Sequence, residues 1–526
     1  MIQYNVDEKN RKESEAMSCC HEEQAFVCRE DWPIAETRAG KLRGYQVGST
    51  FCFLGVTYAR AKRFMMPEPV EAWEGVVDAH AAGPVCPLLD DENPWGDVMI
   101  PHRFWPKSED CLSLNLWTQS LDRNAKKPVM VWFHGGGYST GSAVEMVAYD
   151  GDKLSEFGDV VVVTVNHRLN ILGYFDLSEY GGKYANSGNL GQADLVEALR
   201  WVHENIAAFG GDPDNVTIFG QSGGGGKVNA MLNTPAAKGL FHKGILMSGV
   251  GGRRPAAPKT SKKPLVEALL KELGESDVSA LETVPFEKLR MAYRAVSPGL
   301  QAQGVMGWWA PTPNDWYLGD PYDVGFLDWA KDIPVMVGSV IAEWGFGPGV
   351  PGRDRMSEGE KRAIVAKQFG EEEADRLIAA FRAAWPDKDE TELLSLSNRL
   401  GTLEYCAYHA ENCRAKTWNY LFAYTFTYDG GKPAWHCSDI PYAFHNTLRV
   451  PICWEPGVRE KLEADVAGSY VAFARYGDPN HPGMDGWAPF TAEKPVTMYW
   501  DKESKASDKD LKLQHIHEKV APKGPF

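Results

Sequence analysis

Short apolar runs alternate with helical patterns through the middle of the chain. Four runs, at residues 128–133, 160–165, 216–219 and 244–247, are almost wholly apolar, which is typical of strands inside a sheet covered on both faces. Between the second and third runs, residues 194–209 repeat apolar side chains at helical spacing. The repeating residues are Leu195, Leu199, Val202, Ile206 and Phe209. A strand, a helix and a further strand predict a parallel crossover and an α/β fold.

The pattern differs on either side of this region. Residues 1–32 are charged and lack an apolar period, so we predict a loose N-terminal extension, followed by small strands at 41–45 and 50–56. After residue 249, charged helical segments alternate with core strands. The predicted helices cover 264–273, 285–295, 358–385 and 390–415, and the predicted strands cover 333–337, 418–424 and 496–500. The candidate chemical residues are spread from 134 to 436 and must meet in one site, which predicts a single domain over 33–526.

Charge narrows the range of partners. The 526 residues include 55 Lys and Arg against 71 Asp and Glu, a net charge of −16, which disfavours nucleic acid or an anionic membrane as a partner. No apolar run is long enough to span a bilayer, and residues 1–30 contain no apolar signal segment, so we expect a cytoplasmic protein, with secretion as the alternative if a leader has been lost. Neither HExxH nor paired CxxC motifs occur, so no metal site is expected.

Ser222 is the candidate nucleophile. It is the centre of Gly220-Gln221-Ser222-Gly223-Gly224, a GxSxG motif that directly follows the apolar run 216–219 and precedes a segment able to begin a helix. In that context the serine lies on a sharp, strained strand-to-helix turn, and the glycines on either side avoid clashes with neighbouring elements. A phosphate-binding loop is disfavoured because the GxxxxGK[ST] spacing is missing.

A second glycine-rich motif follows the strand at 128–133. His134 is succeeded by three glycines, whose backbone N–H groups can turn into a cavity without obstruction. In a serine hydrolase such groups, together with the N–H of the residue after the nucleophile, bind the oxyanion of the tetrahedral intermediate. We therefore predict an oxyanion hole formed by Gly136, Gly137 and Gly223.

These motifs belong to a wider resemblance. Residues 205–224 resemble the nucleophile signature of the type B carboxylesterase and cholinesterase family, and residues 109–117 resemble its second signature. Further similar segments extend the resemblance over roughly 33–501. It implies an α/β-hydrolase fold, with a mostly parallel central sheet, helices on both faces and helical insertions that form a gorge or cap. It also implies a catalytic triad in the chain order Ser, Glu, His.

The family pattern assigns the other two triad members by position. Glu343 follows the core strand at 333–337, and His436 precedes an acidic, Ile, Pro, aromatic run. Ser248 matches a serine that supports the acid by hydrogen bonding. Asp439, three residues after His436, competes with Glu343 for the role of acid, but an acid from an adjacent strand end is better placed to hold the far side of the imidazole.

Some positions depart from the family pattern or leave alternatives open. Gln221 stands where the family usually has Glu, so the site lacks a negative charge that would attract cationic substrates. Trp344 stands where Gly is common. Cys86 and Cys111 match a family disulfide, whereas the missing signal segment favours reduced thiols, and both alternatives remain.

The motifs and the resemblance together predict a cofactor-independent carboxylesterase that acylates Ser222. The expected substrate is a small aliphatic or aryl ester, uncharged because the acidic protein repels anions. An amidase or lactonase on the same triad is an alternative. A non-catalytic binding protein, as some members of the family are, is disfavoured because Ser222, Glu343 and His436 are all present.

Overall fold

A computed structural model describes residues 25–90, 99, 101–254, 260–305, 308–347, 349–484 and 486–521. The strands are Phe26–Val27 (β1), Ile34–Glu36 (β2), Lys41–Arg43 (β3), Tyr45–Val47 (β4), Thr50–Thr57 (β5), Ala59–Arg60 (β6), Glu68–Pro69 (β7), Val76–Asp78 (β8), Ser113–Thr118 (β9), Lys127–Phe133 (β10), Val161–Val165 (β11), Gly211–Gln221 (β12), Lys243–Met247 (β13), Val335–Val340 (β14), Thr417–Phe422 (β15), Thr425–Phe426 (β16), Lys432–Pro433 (β17), Thr497–Trp500 (β18) and Lys505–Ser507 (β19).

The α-helices are Asp152–Gly158 (α1), Asn170–Tyr174 (α2), Leu190–Asn205 (α3), Gly223–Met231 (α4), Lys263–Leu273 (α5), Ala280–Thr283 (α6), Phe286–Ala302 (α7), Pro321–Val324 (α8), Glu358–Phe369 (α9), Glu371–Ala384 (α10), Leu400–Asn412 (α11), Ile440–Ala443 (α12), Arg459–Tyr476 (α13) and Leu511–Val520 (α14). In the described part of the chain, none of them is long and apolar enough to cross a membrane.

A mixed sheet of twelve strands forms the centre of the described fold, in the order β1-β4-β5-β9-β11-β10-β12-β13-β14-β15-β18-β19. The seven strands from β11 to β18 run parallel to their neighbours. The outer pairs on both sides are antiparallel. This is the predicted α/β architecture with a mostly parallel sheet.

Strand β10 shows why the apolar runs are continuous. Val129, Val131 and Phe133 pack into one hydrophobic core, and Met130 and Trp132 pack into the core on the other side of the sheet. Successive strand residues point to opposite faces, so a strand covered on both faces needs an apolar residue at every position. All the predicted core strands are present.

Two predicted long helices are shorter in the structure. The segment predicted as one helix over 358–385 is divided into α9 and α10 by Gly370, whose φ of 96° ends the first helix. The segment predicted over 390–415 begins with a 3₁₀ turn, Glu390–Leu394, and becomes α-helical only at α11. Across the second break Leu393, Leu396, Leu400 and Leu403 keep helical spacing, and for that reason the pattern did not show it.

The predicted extension over 1–32 is wrong at its C-terminal end. Residues 1–24 lie outside the described residues, but β1 pairs antiparallel with β4 and extends the central sheet. The Phe26 ring lies against Tyr45, with 5.7 Å between ring centroids. Phe26 and Val27 are two apolar residues within a charged stretch, which is too few to show the alternation of apolar and polar positions that predicts a strand.

Candidate active site

The parallel strands place the candidate residues at one edge of the sheet. His134 directly follows β10, Ser222 follows β12, Ser248 follows β13, and Glu343 comes three residues after β14. In open α/β sheets, the crevice outside the carboxyl ends of the strands is where ligands bind. The predicted residues therefore converge at the edge where this architecture places its sites.

Ser222 occupies a strained turn between β12 and α4. Its φ is 58° and its ψ is −125°, a conformation that few residues with a side chain adopt. A Cβ at Gly220 would lie 2.5 Å from the carbonyl carbon of Gly224, and a Cβ at Gly224 would lie 2.0 Å from the Phe133 oxygen. Both flanking positions therefore require glycine, which is the physical reason for the motif.

His436 and Glu343 form a close pair. His436 Nδ1 lies 2.6 Å from Glu343 Oε2, and the backbone N–H of Val340 donates to Glu343 Oε1 at 3.0 Å. The backbones of the two residues are also joined, because the His436 N–H donates to the Glu343 carbonyl at 3.0 Å. The carboxylate is therefore held on both oxygens and orients the imidazole.

The other ring nitrogen of His436 faces Gln221. Gln221 Nε2 lies 3.2 Å from His436 Nε2, and Gln221 Oε1 accepts from the Cys437 thiol at 3.2 Å. An amide that donates to Nε2 and a carboxylate that accepts from Nδ1–H together select the neutral tautomer that can act as a base. Ser222 Oγ is not hydrogen-bonded to any described residue. The hydrogen bond between a catalytic serine and its histidine often forms only when substrate binds.

The glycine loop lies directly against the nucleophile turn. Gly136 and Gly137 have φ values of 78° and 62° and are exposed. A Cβ at Gly223 would lie 2.2 Å from the carbonyl oxygen of Gly137, so the two backbones are in contact. Within the described residues, the amide groups of these three glycines donate no hydrogen bond. The predicted oxyanion residues are thus adjacent, and their donors are available.

Ser248 does not perform its predicted role. Its hydroxyl is shielded from solvent and has no hydrogen-bond partner among the described residues, so the expected bond to the acid is absent. The Val340 N–H occupies the second oxygen of Glu343 instead. The backbone of Ser248 is nevertheless fixed at this edge, because its N–H donates to the Gly338 carbonyl at 2.8 Å.

Asp439, the competing carboxylate, is buried behind the triad. Its Oδ2 accepts from the Tyr420 hydroxyl at 3.2 Å, and no described hydrogen bond joins it to His436. Burial, and next the negative charge of Glu343, raise the pKa of Asp439 from 3.8 to about 7. The geometry therefore favours Glu343 over Asp439 as the partner of the imidazole.

Sequence reasoning missed two supports of this site. The indole of Trp344 stacks on the His436 ring, with 4.7 Å between centroids and 25° between planes. Lys432 Nζ donates to the Gly345 and Gly347 carbonyls at 2.7 and 2.6 Å, which ties the loop after Glu343 to the strand before His436. The sequence offered one signal for these contacts, because Trp344 stands where Gly is common in the family. That signal showed an unusual residue beside the acid but did not show what its side chain would contact.

Cys86 and Cys111 are buried free thiols. A hydrogen bond with the Cys86 thiol, together with burial, raises the pKa of Cys111 well above its ordinary value. Cys86 Sγ also accepts from the Leu169 N–H at 3.3 Å. No group of three or more His, Cys, Asp or Glu side chains in the described ranges could hold a metal ion.

Comparisons with known proteins place this geometry in context. The model of the carboxylesterase family matches residues 31–518. The para-nitrobenzyl esterase of Bacillus subtilis (strain 168) is 31% identical, over 89% of this chain and 95% of its own. The phenmedipham hydrolase of Pseudarthrobacter oxydans is 32% identical, over 91% and 97%. A solved esterase from Clostridium hathewayi, described as able to hydrolyse aliphatic aromatic polyesters, is 48% identical with a TM-score of 0.91, covering 94% of this chain and 100% of its own.

Proposed function

Because the chain belongs to the carboxylesterase family and is a serine ester hydrolase, we propose that Ser222 is its nucleophile, His436 its general base and Glu343 its triad acid. The observation that carries this assignment is the 2.6 Å contact between Glu343 and His436 at the sheet edge where Ser222 occupies its strained turn. The assigned oxyanion donors are the N–H groups of Gly136, Gly137 and Gly223.

The reaction follows from these positions. Ser222 Oγ attacks the ester carbonyl while its proton passes to His436 Nε2, and the carbonyl oxygen becomes an anion facing the three glycine amides. Glu343 stabilises the imidazolium that results. The imidazolium returns the proton to the departing alcohol, which leaves Ser222 acylated. Water then repeats the sequence, releases the carboxylic acid and restores the serine.

Labelling of the nucleophile tests the assignment. A fluorophosphonate probe should add one adduct to the intact mass of the wild-type protein and none to Ser222→Ala. Ser248→Ala is the matched control, because Ser248 is a nearby serine at the same edge with no hydrogen-bond partner in the described structure, and it should label normally. Labelling of Ser222→Ala at another residue would contradict the assignment.

We further propose uncharged esters with an aromatic group beside the scissile bond as substrates. The Trp344 indole stacks on the ring that protonates the departing alcohol and is 48% exposed, and this is a suitable surface for a planar group. The activity described for the Clostridium hathewayi esterase supports the same class.

Trp344 also allows the substrate proposal to be tested separately. Trp344→Ala should lower kcat/KM for phenyl acetate by about 2- to 13-fold relative to ethyl acetate, corresponding to about 0.5–1.5 kcal/mol for an aromatic pair. Trp344→Phe, which keeps an aromatic ring, should retain most of the preference. An equal loss on both esters would mean that Trp344 only orients His436. A para-nitroanilide assayed in parallel distinguishes ester from amide hydrolysis.

A further inference from the structure

A lysine is buried directly behind the oxyanion loop. Lys227 lies on α4, five positions after Ser222, and its side chain is fully buried. Its Nζ donates to the carbonyl of His134 at 2.9 Å and lies 5.6 Å from the centroid of the Tyr138 ring. No carboxylate among the described residues forms an ion pair with it.

Such a lysine opposes folding. An ammonium removed from water without a paired anion is strongly disfavoured, and burial lowers the pKa of Lys227 to about 7. A methionine would fill much of the same space without a charge. A buried lysine that the packing does not require points to a role at the site beside it.

The surroundings connect Lys227 to both parts of the oxyanion hole. Helical side chains lean toward the N-terminus of their helix, so the ammonium lies toward the first turn of α4, which begins with Gly223. Its hydrogen-bond acceptor, the His134 carbonyl, belongs to the loop that continues into Gly136 and Gly137. The ammonium therefore holds the start of the loop that carries two of the proposed donors, and its residue lies on the helix that begins with the third.

The titratable groups around Lys227 do not carry a competing positive charge. The rings of His134 and His167 lie 4.6 Å apart, and burial, followed by the charge of Lys227, lowers the pKa of both well below the ordinary value. Both imidazoles are therefore neutral near pH 7. Among the residues that the structure describes, Glu145 is the anion whose charge acts on Lys227, and it favours the protonated lysine.

We propose that Lys227 is a positioning residue whose buried positive charge strengthens the oxyanion hole from behind. This inference rests on the proposed function. The charge adds to the positive potential at the N-terminus of α4 and stabilises the negative oxygen that forms during acyl transfer, because a charge buried as Lys227 is acts through a low dielectric. The negative oxygen in turn favours the protonated form of the lysine.

A transition-state analogue gives the test. A trifluoromethyl ketone adds to the serine and leaves an oxyanion in the hole, whereas the unfluorinated ketone of the same shape does not. Lys227→Met and Lys227→Gln should each weaken binding of the trifluoromethyl ketone about tenfold. This loss is smaller than the roughly 10²- to 10³-fold loss of kcat that follows removal of a direct oxyanion donor. Binding of the unfluorinated ketone and KM should be unchanged, and kcat should fall by a similar factor.

Lys243→Met is the matched control. Lys243 is also buried, with its pKa lowered to about 8 by burial, but it begins β13 at the opposite edge and pairs with Asn215. Its replacement should leave both ketones and kcat unchanged.

Stability separates an electrostatic role from a structural one. Lys227→Met should melt at the wild-type temperature or higher, because a buried charge is removed. The tighter binding of the trifluoromethyl ketone by the wild type than by Lys227→Met should diminish as pH rises above 7, because the lysine then loses its proton. Should Lys227→Met fail to fold, Lys227→Gln carries the same comparison, since its amide can still donate to His134. Full affinity in Lys227→Gln, or equal losses on both ketones, would overturn the inference. A wild-type protein inert to the fluorophosphonate would instead contradict the proposed function.

Discussion

Replacing the Glu343 carboxylate by an amide should stop turnover while leaving the fold intact. In the structure, Glu343 Oε1 accepts from the Val340 N–H and Oε2 lies 2.6 Å from His436 Nδ1. In Glu343→Gln the backbone N–H still requires an acceptor, so the amide oxygen takes the Oε1 position. The NH₂ group then faces Nδ1 and forces the imidazole proton onto Nε2.

The size of the effect follows from that tautomer. An imidazole protonated on Nε2 cannot accept the proton of Ser222, and replacement of a triad carboxylate by its amide lowers kcat about 10⁴-fold. At about 1.36 kcal/mol for each factor of ten, this is roughly 5.4 kcal/mol of lost transition-state stabilisation. KM should change little, since Glu343 does not touch the substrate.

The assay compares two matched carboxylate-to-amide changes. Steady-state hydrolysis of para-nitrophenyl esters should show the full loss for Glu343→Gln and little loss for Asp439→Asn, with melting curves confirming that both variants are folded. Asp439 is a suitable control because it is buried near the same histidine but bonds to Tyr420. A large loss in Asp439→Asn with full activity in Glu343→Gln would refute the reasoning and move the acid to Asp439.

Three further outcomes follow from the structure. Asp439 has a raised pKa in the native state, so it binds more protons than in the unfolded state between about pH 4 and about 7, and wild-type stability falls as pH rises through that window. Asp439→Asn should therefore melt above the wild type at pH 8, and a gap that persists undiminished at pH 4 would contradict this. Gly224→Ala would place a Cβ 2.0 Å from a backbone oxygen of β10, so urea denaturation should show a free energy of unfolding about 3 kcal/mol below that of the wild type, and esterase assays should show reduced activity. A variant as stable as the wild type would contradict the close approach of the two backbones. Gln221→Glu places an anion beside His436 Nε2 and favours the imidazolium, so the acidic limb of the kcat/KM profile should move to higher pH, and an unmoved limb would argue against the contact.

The sequence predicted the strand framework and the residues at the strand ends. The nearly unbroken apolar runs of β10 and β11 have few explanations besides burial on both faces, and the glycines around Ser222 follow from close backbone approach. Such patterns are local, because one short segment contains all the information needed. The elements most constrained by their own geometry are therefore those predicted best.

Features that depend on contacts between distant segments were not predicted. The hydroxyl of Ser248 has no hydrogen-bond partner among the described residues, whereas the Val340 N–H donates to the Glu343 carboxylate, and both facts depend on how β13 and β14 end in space. The role inferred for Lys227 follows from its burial under a loop some 90 residues earlier in the chain, where Nζ meets His134. A charged residue in a helix is usually solvated, so spacing alone gave no reason to place it there.

The stack of Trp344 on His436 has an optical consequence. An imidazolium in van der Waals contact with an indole quenches its emission more strongly than a neutral imidazole does, and these two rings lie 4.7 Å apart. The protein contains 18 tryptophans, so the emission of Trp344, which stacks on the proposed base, is obtained as the difference between the wild type and Trp344→Phe. The protein thereby carries an intrinsic fluorophore that reports the protonation of its own base during a pH titration, with no substrate, label or turnover needed.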